Sequence, residues 1–167
     1  METVASRLDR LGIRLPPAQP AGSLFVPARQ AGDMLYLSGA IGTVFEEGRW
    51  RLPHKGQLGA ELDIAEGRES ARWCILHHLR AIEDALGSLE RVAQVVRLVG
   101  YVNAAPGFTK APLVLDGASA LLLEVFGEGR GRHARVALYQ PEMSFDAPIE
   151  TELMVQVAAD PGGGPAP

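Results

Sequence analysis

Cysteine is nearly missing from this chain, and lysine is almost as scarce. A single cysteine, Cys74, stands among 167 residues, so no internal disulfide can staple the fold. Two lysines accompany fourteen arginines, and the net charge is −4 with a pI of about 5.6. A nucleic-acid backbone is usually met by a clustered basic face, often interleaved with aromatics, and the sequence has none, so no nucleic-acid partner is expected. There is no run of about eighteen apolar residues, and no basic-then-apolar leader. The expectation is a cytoplasmic protein with no membrane contact. No period of about 20 to 50 residues repeats, which excludes solenoids and propellers.

What is present describes an ordinary globular domain. The chain is 47% hydrophobic and 22% charged, with mean hydropathy +0.05, and is long enough to bury a sizeable core. Glu2 to Leu11 carries Val4, Leu8 and Leu11 on one helical stripe and should end at Gly12. The Pro- and Ala-rich stretch Leu15 to Gly22 reads as a connector. Two strands are expected at Leu24–Gln30 and Met34–Ala40, joined by a turn at Ala31-Gly32-Asp33. Residues 41–62 form a long irregular stretch with a short strand near Arg49 to Leu52. Asp63, with Glu66 three positions on, predicts the start of a long helix that Gly87 stops. Its buried face should hold Ile64, Ala71, Cys74 or Ile75, His78, Ala81 or Ile82, and Ala85. Val92 to Asn103 is too continuously apolar for a half-exposed strand and predicts a central, buried one. After Pro106-Gly107 and Pro112, a second helix is expected over Gly117–Phe126, then a Gly-rich loop, Gly127 to Gly131, and two final strands. The domain plan is a helix and connector over 1–21, one domain over 22–159, and a tail over 160–167 with nothing to bury. The class is α+β, with strands in one layer and two long helices in another.

Chemistry concentrates near the C-terminus. His133-Ala134-Arg135-Val136-Ala137-Leu138 opens one strand with an Arg, and Pro148-Ile149-Glu150-Thr151-Glu152 opens the next with a Glu. Folded back antiparallel, the two strands would bring guanidinium and carboxylate together at one end of a sheet, a site for a small carboxylate ligand. Glu152 falls on the same strand face as Glu150, and an ion pair of Arg135 with either is the structural alternative. His77 and His78 lie about 100° apart around the helix and lack the i, i+4 spacing of helical zinc ligands, so no metal site is expected. His54 and His133 fall in loops or at strand ends, with His133 bordering the expected cleft. Cys74, mid-helix, reads as a small buried hydrophobe rather than a nucleophile. Gly127-Glu128-Gly129-Arg130-Gly131 precedes a strand, the wrong order for a phosphate-binding turn. Trp50 and Trp73 suit either core or interface.

Gly32-Asp33-Met34-Leu35-Tyr36-Leu37-Ser38-Gly39, Asn103-Ala104-Ala105-Pro106-Gly107-Phe108-Thr109, Glu124-Val125-Phe126-Gly127, His133-Ala134-Arg135 and Pro148-Ile149-Glu150-Thr151-Glu152 stand in the order found in the reactive-intermediate deaminase family, also called Rid or YjgF. Over residues 22–158 the chain resembles that family, closest to a divergent bacterial branch with an N-terminal helix. The resemblance implies a chorismate-mutase-like mixed sheet with two long helices packed on one face, a homotrimer with a central barrel, and clefts between subunits. It also implies hydrolysis of small imino or enamino acids to 2-keto acids and ammonia, with no cofactor. Arg135 matches the Arg that grips the substrate carboxylate, Glu150 the Glu that orients water, and Ser38-Gly39 the strand end that contacts ligand. Phe25 stands where deaminating relatives carry Tyr, Ala137 where many carry Cys, and Ala40 where Gln is frequent. The relatives' second-helix Asn falls near Ala120, and Asp116 or Ser119 could substitute for it.

Overall fold

The computed structural model describes residues 2–18 and 24–159. The end of the Pro-rich connector, the boundary expected after residue 21, and the tail 160–167 lie outside the described residues.

The N-terminal helix α1 (Val4–Arg10) begins where the Thr3 hydroxyl accepts from the Ser6 amide. Val4 is its buried anchor, and the Val4 N–H donates to the Glu90 carboxylate on the 3₁₀ turn Leu89–Arg91. The first hairpin is β1 (Ala28–Ala31) and β2 (Met34–Ile41), turned by Gly32-Asp33. Pairing begins four residues later than expected. Leu24 to Val26 lie exposed, and Pro27 has no N–H to give a ladder. Within residues 41–62 a second hairpin, β3 (Val44–Glu46) and β4 (Arg49–Arg51), turns through Glu47 and Gly48 at φ 51 and 77, the double positive φ of a tight hairpin turn. Phe45 packs edge-on against Trp50, whose ring lies 5.4 Å from His77.

Helix α2 (Ile64–Leu86) starts on the expected reciprocal cap, with Asp63 accepting from the Glu66 amide and Glu66 from the Asp63 amide, and stops at Gly87 in the left-handed region. Its inner face is broader than expected, because His77 and His78 are both buried, and Ala85 is exposed instead. Strand β5 (Val92–Asn103) pairs on both sides as expected. Helix α3 (Ala111–Gly131) begins six residues before the expected start. Pro112 occupies its first turn, where a missing N–H costs nothing, and Val114, Leu115, Ala118, Leu121, Leu122 and Val125 build one buried stripe. The expected Gly-rich loop is a kink at Gly127 (φ 75, ψ 171) and one more helical turn; the Arg7 guanidinium covers Gly127 where a Cβ would stand.

The last strands, β6 (Ala134–Gln140) and β7 (Ile149–Val157), are not partners. The sheet order is β1-β2-β7-β5-β6, with β6 parallel to β5, and β7 antiparallel to both β2 and β5. Helix α3 carries the chain across one face and returns it beside β5 in the same direction, as a crossover must. Strand β7 then enters the sheet between β2 and β5, so that both β5 and β7 are interior strands. Along β7 burial alternates strictly. Ile149, Thr151, Leu153, Val155 and Val157 face α2 and α3 and join Leu35, Ile75, Leu79, Leu98 and Leu122 in the core. Each such side chain contributes roughly 1.5 to 3 kcal/mol on burial. The opposite sheet face, with Tyr36, Arg97, Tyr101, Leu138, Glu150, Glu152 and Met154 in register, carries no helix.

Candidate functional site

The expected site residues fall into two groups at separate places on the sheet. The first lies where β6 meets α3. Gly117 lets the helices close, since a Cβ there would collide with the Arg68 carbonyl on α2. Asp116 and Ser119 are thereby held over the edge strand. Arg135 Nη1 donates to Asp116 Oδ1 (2.9 Å) and to Ser119 Oγ (3.1 Å), and Nη2 donates to the Pro112 carbonyl (3.3 Å). Asp116, rather than Glu150 or Glu152, is its ion-pair partner. A guanidinium has five N–H groups; Nε–H and one Nη2–H meet no described acceptor. Those two can receive a carboxylate. On the same strand face, Ala137 packs against the core and His133 reaches back to α3. His133 Nδ1 lies 2.7 Å from the Gly131 carbonyl and Nε2 lies 3.0 Å from Ser119 Oγ. Burial pushes this imidazole's proton affinity down, the Gly131 carbonyl opposes that, and the charge on Arg135 lowers it further.

The second group lies at the β2–β7 pairing. Between Leu37 and Ala40, β2 has one residue more than β7 opposite it, a bulge at Ser38-Gly39. Bulges re-aim side chains and are frequent beside active sites. Here the Ser38 hydroxyl donates to the Val26 carbonyl (2.6 Å) and the Ser38 amide to the Pro27 carbonyl (2.9 Å), which ties down the segment carrying Phe25. Gly39 exposes bare backbone against which the Glu150 carboxylate rests, and a Cβ at this position would overlap Glu150 Oε1. Burial raises the Glu150 proton affinity, and the like charge of Glu152 raises it further. Tyr101, directly opposite Glu150 on β5, donates its hydroxyl to Glu152 Oε1 (3.2 Å). Phe25 is exposed at 64%.

The structure does not bring Arg135 and Glu150 together within one chain. Strand β5 separates β6 from β7, a lateral gap of about 10 Å at normal strand spacing. Arg135 is in register with Leu98 on the helix-covered face, whereas Glu150 is in register with Tyr101 on the open face. The antiparallel pairing expected of β6 and β7 fails for the crossover reason given above. Grooves of about 620 Å³, beside Arg68, Arg72 and Trp73, and about 760 Å³, between residues 59–66 and 107–110, contain none of the expected site residues. Among the described residues no cluster of three or more His, Cys, Asp or Glu could hold a metal ion, and no helix is long and apolar enough to cross a membrane. Cys74 is buried, its thiol pushed far up by burial, and His78 is locked against Thr151. His54 stacks on Trp73 and pairs with Glu69.

Sequence reasoning missed the Ser119–His133 contact and the Tyr101–Glu152 pair. Period-two spacing from Arg135 was the signal that could have placed His133 on the same face, but its helix partner depends on how α3 crosses the sheet.

Residues 5–157 match the family described as "YjgF/chorismate mutase-like, putative endoribonuclease". Protein TCP17 of Trypanosoma cruzi is 40% identical over 154 residues, which is 92% of this chain and 94% of that protein. A Shewanella oneidensis structure described as a "putative endoribonuclease" is 34% identical with a TM-score of 0.85, covering 93% of this chain and all of the other. An Agrobacterium tumefaciens protein of unknown function, also 34% identical, superposes with a TM-score of 0.82 over 92% of each chain. With the mixed sheet, the two long helices on one face and the ordered motifs all in agreement over nearly the whole length, the chain belongs to the YjgF/chorismate mutase-like family.

Proposed function

We propose that this protein hydrolyses small 2-imino and enamino acids to 2-keto acids and ammonia, in sites that assemble between copies of the chain in a homotrimer. The observation that carries the reading is the division just described: an arginine with two unused N–H groups on one side of the sheet, and a raised glutamate lying on bare backbone on the other. Each is half of a site. The uncovered sheet face supports association, since Tyr36, Leu138 and Met154 leave apolar area that a second copy can bury.

In this reading Arg135 of one copy holds the substrate carboxylate through Nε–H and Nη2–H. Glu150 of the neighbouring copy accepts a proton from water as the oxygen attacks the carbon of the protonated imine. The resulting carbinolamine collapses when Glu150 returns that proton to nitrogen and takes up the hydroxyl proton as the C–N bond breaks, so that ammonia leaves a ketone behind. Such a shuttle works best with a proton affinity nearer neutrality than an ordinary carboxylate, which is the direction burial and Glu152 give Glu150. Gly39 and Ser38 offer backbone beside the reacting atoms, Phe25 an apolar lid, and Asp116, Ser119 and Ala137 the wall behind Arg135.

The test is ammonia release from an imino acid generated in situ by an amino-acid oxidase. Wild-type protein should accelerate release over spontaneous decay, and Arg135→Ala and Glu150→Gln should each abolish it. Mixing the two inactive variants through unfolding and refolding should restore about a quarter of the activity, because that fraction of interfaces pairs an intact Arg with an intact Glu. Wild-type protein that leaves the spontaneous rate unchanged would exclude the reading.

A second reading is a trimeric carboxylate-binding protein without turnover, favoured by Phe25 lacking a phenolic hydroxyl and by Ala137 lacking a thiol. Binding of pyruvate or 2-ketobutyrate without hydrolysis would select it. The ribonuclease activity in the family's description finds no support in a chain of net charge −4.

A further inference from the structure

We propose that His133 is a positioning residue for Arg135, a neutral imidazole that fixes the direction of the Ser119 hydroxyl so that the hydroxyl holds the guanidinium with Nε–H and one Nη2–H turned outward. The inference deepens the reading above and rests on it for its functional consequence.

The argument is one of donors and acceptors. The Gly131 carbonyl can only accept, so the nitrogen 2.7 Å from it, His133 Nδ1, carries a proton. In a neutral ring Nε2 is then a bare acceptor. Ser119 Oγ, 3.0 Å away, has a single proton and gives it to Nε2. With that proton committed, the oxygen presents its lone pairs to Arg135 Nη1 at 3.1 Å. The chain runs in one direction, from Arg135 through Ser119 and His133 to the backbone at the end of α3. Reversing it would require a proton on both ring nitrogens, a charged imidazole beside the Arg135 cation, which that cation opposes.

Arg135 needs such a support. It stands on an edge strand with a neighbour on one side only, and a long side chain left free gives up considerable rotamer entropy when it closes on an anion. Asp116 alone fixes one nitrogen. Ser119 adds a second anchor to that same nitrogen and the Pro112 carbonyl holds the other, so the plane of the fork is set before ligand arrives. A neutral His133 also keeps a second cation away from Arg135, consistent with the downward push that burial gives its proton affinity.

The experiment has two parts. Nitrogen-15 NMR of the wild-type imidazole at neutral pH should show Nε2 unprotonated and Nδ1 protonated. Kinetics should then separate support from catalysis. His133→Leu should raise KM for the imino acid, and Kd for a 2-keto acid, about tenfold, with kcat within about twofold. His133→Gln, whose side-chain carbonyl can accept from Ser119, should recover most of that loss. In Ser119→Ala, a further His133→Leu should change nothing, because the histidine acts through the hydroxyl. A protonated Nε2, a full additional loss in the double variant, or an unchanged KM in His133→Leu beside a normal wild type would each overturn the proposal. Wild-type protein that binds no 2-keto acid and releases no ammonia would instead overturn the function itself, with the tautomer still deciding the hydrogen-bond chain.

Discussion

The proposed chemistry rests on how a few side chains are constrained. Arg135 is held at three points and keeps two N–H groups in a planar fork. Replacing it with lysine keeps the charge and loses the fork, and kcat/KM should fall by roughly 10- to 100-fold. Activity near wild type for Arg135→Lys, in the ammonia assay, would mean that a point charge suffices. Glu150 and Glu152 stand two residues apart on one face, and Tyr101 bonds to the second. Burial is the larger cause of the raised proton affinity at Glu150, and Glu152 the smaller. Glu152→Gln removes the like charge, so the acid limb of the pH–rate profile should move to lower pH. Movement to higher pH would contradict the assignment. The sequence marked Arg135, Glu150, Ser38 and Gly39 through motif order, but it could not tell which carboxylate pairs with Arg135. That choice falls to Asp116, nineteen positions away in sequence, because packing of α3 on β6 decides it.

At the scale of elements, α2 was legible because its signals are local: a reciprocal cap at Asp63 and Glu66, a stop at Gly87, and a continuous apolar stripe. Helix α3 was misjudged at both ends for the opposite reason. Pro112 reads as a break in isolation and as a first-turn residue in context, and the glycines at its far end read as a loop although Gly127 makes a kink followed by another turn. Helix α2 also carries a pH dependence that no exposed histidine would show. His78 Nε2–H is shared between the Thr151 carbonyl (3.1 Å) and hydroxyl (2.9 Å), and burial holds the imidazole down to about 3 from an ordinary 6.5. Between those values the unfolded chain binds a proton that the native chain refuses. Stability from this group is therefore complete above pH 6.5 and is lost as pH falls towards 3, on the order of a few kcal/mol in all. Buried His77, bonded to the Thr43 carbonyl, acts in the same direction. Urea midpoints at pH 7, 6 and 5 should fall in that order, and the fall should be shallower in His78→Gln; midpoints that rise on acidification would refute the account.

For the whole molecule, the decisive feature is a sheet with helices on one face and a mixed apolar and acidic surface on the other. Leu138 lies on that open face in register with Tyr101, and on the proposed assembly it is covered by a neighbouring copy. Leu138→Glu adds a third carboxylate to the open face that carries Glu150 and Glu152, two strands away from them, and removes apolar contact. Sedimentation velocity should show monomers for this variant and trimers for wild type, with unchanged circular dichroism. A Leu138→Glu trimer would place the interface elsewhere.

By itself the sequence determined the layers, the long helix with both of its ends and the run of β5, and it nominated Arg135, Glu150, Ser38 and Gly39 as candidates, because period, caps and motifs are properties of neighbours along the chain. Tertiary structure alone decided that β7 enters the middle of the sheet and β6 its edge, and that their registers against β5 put the arginine and the glutamate on different faces. Strand order and handedness of a crossover are set by which surfaces bury together, and no local spacing encodes them.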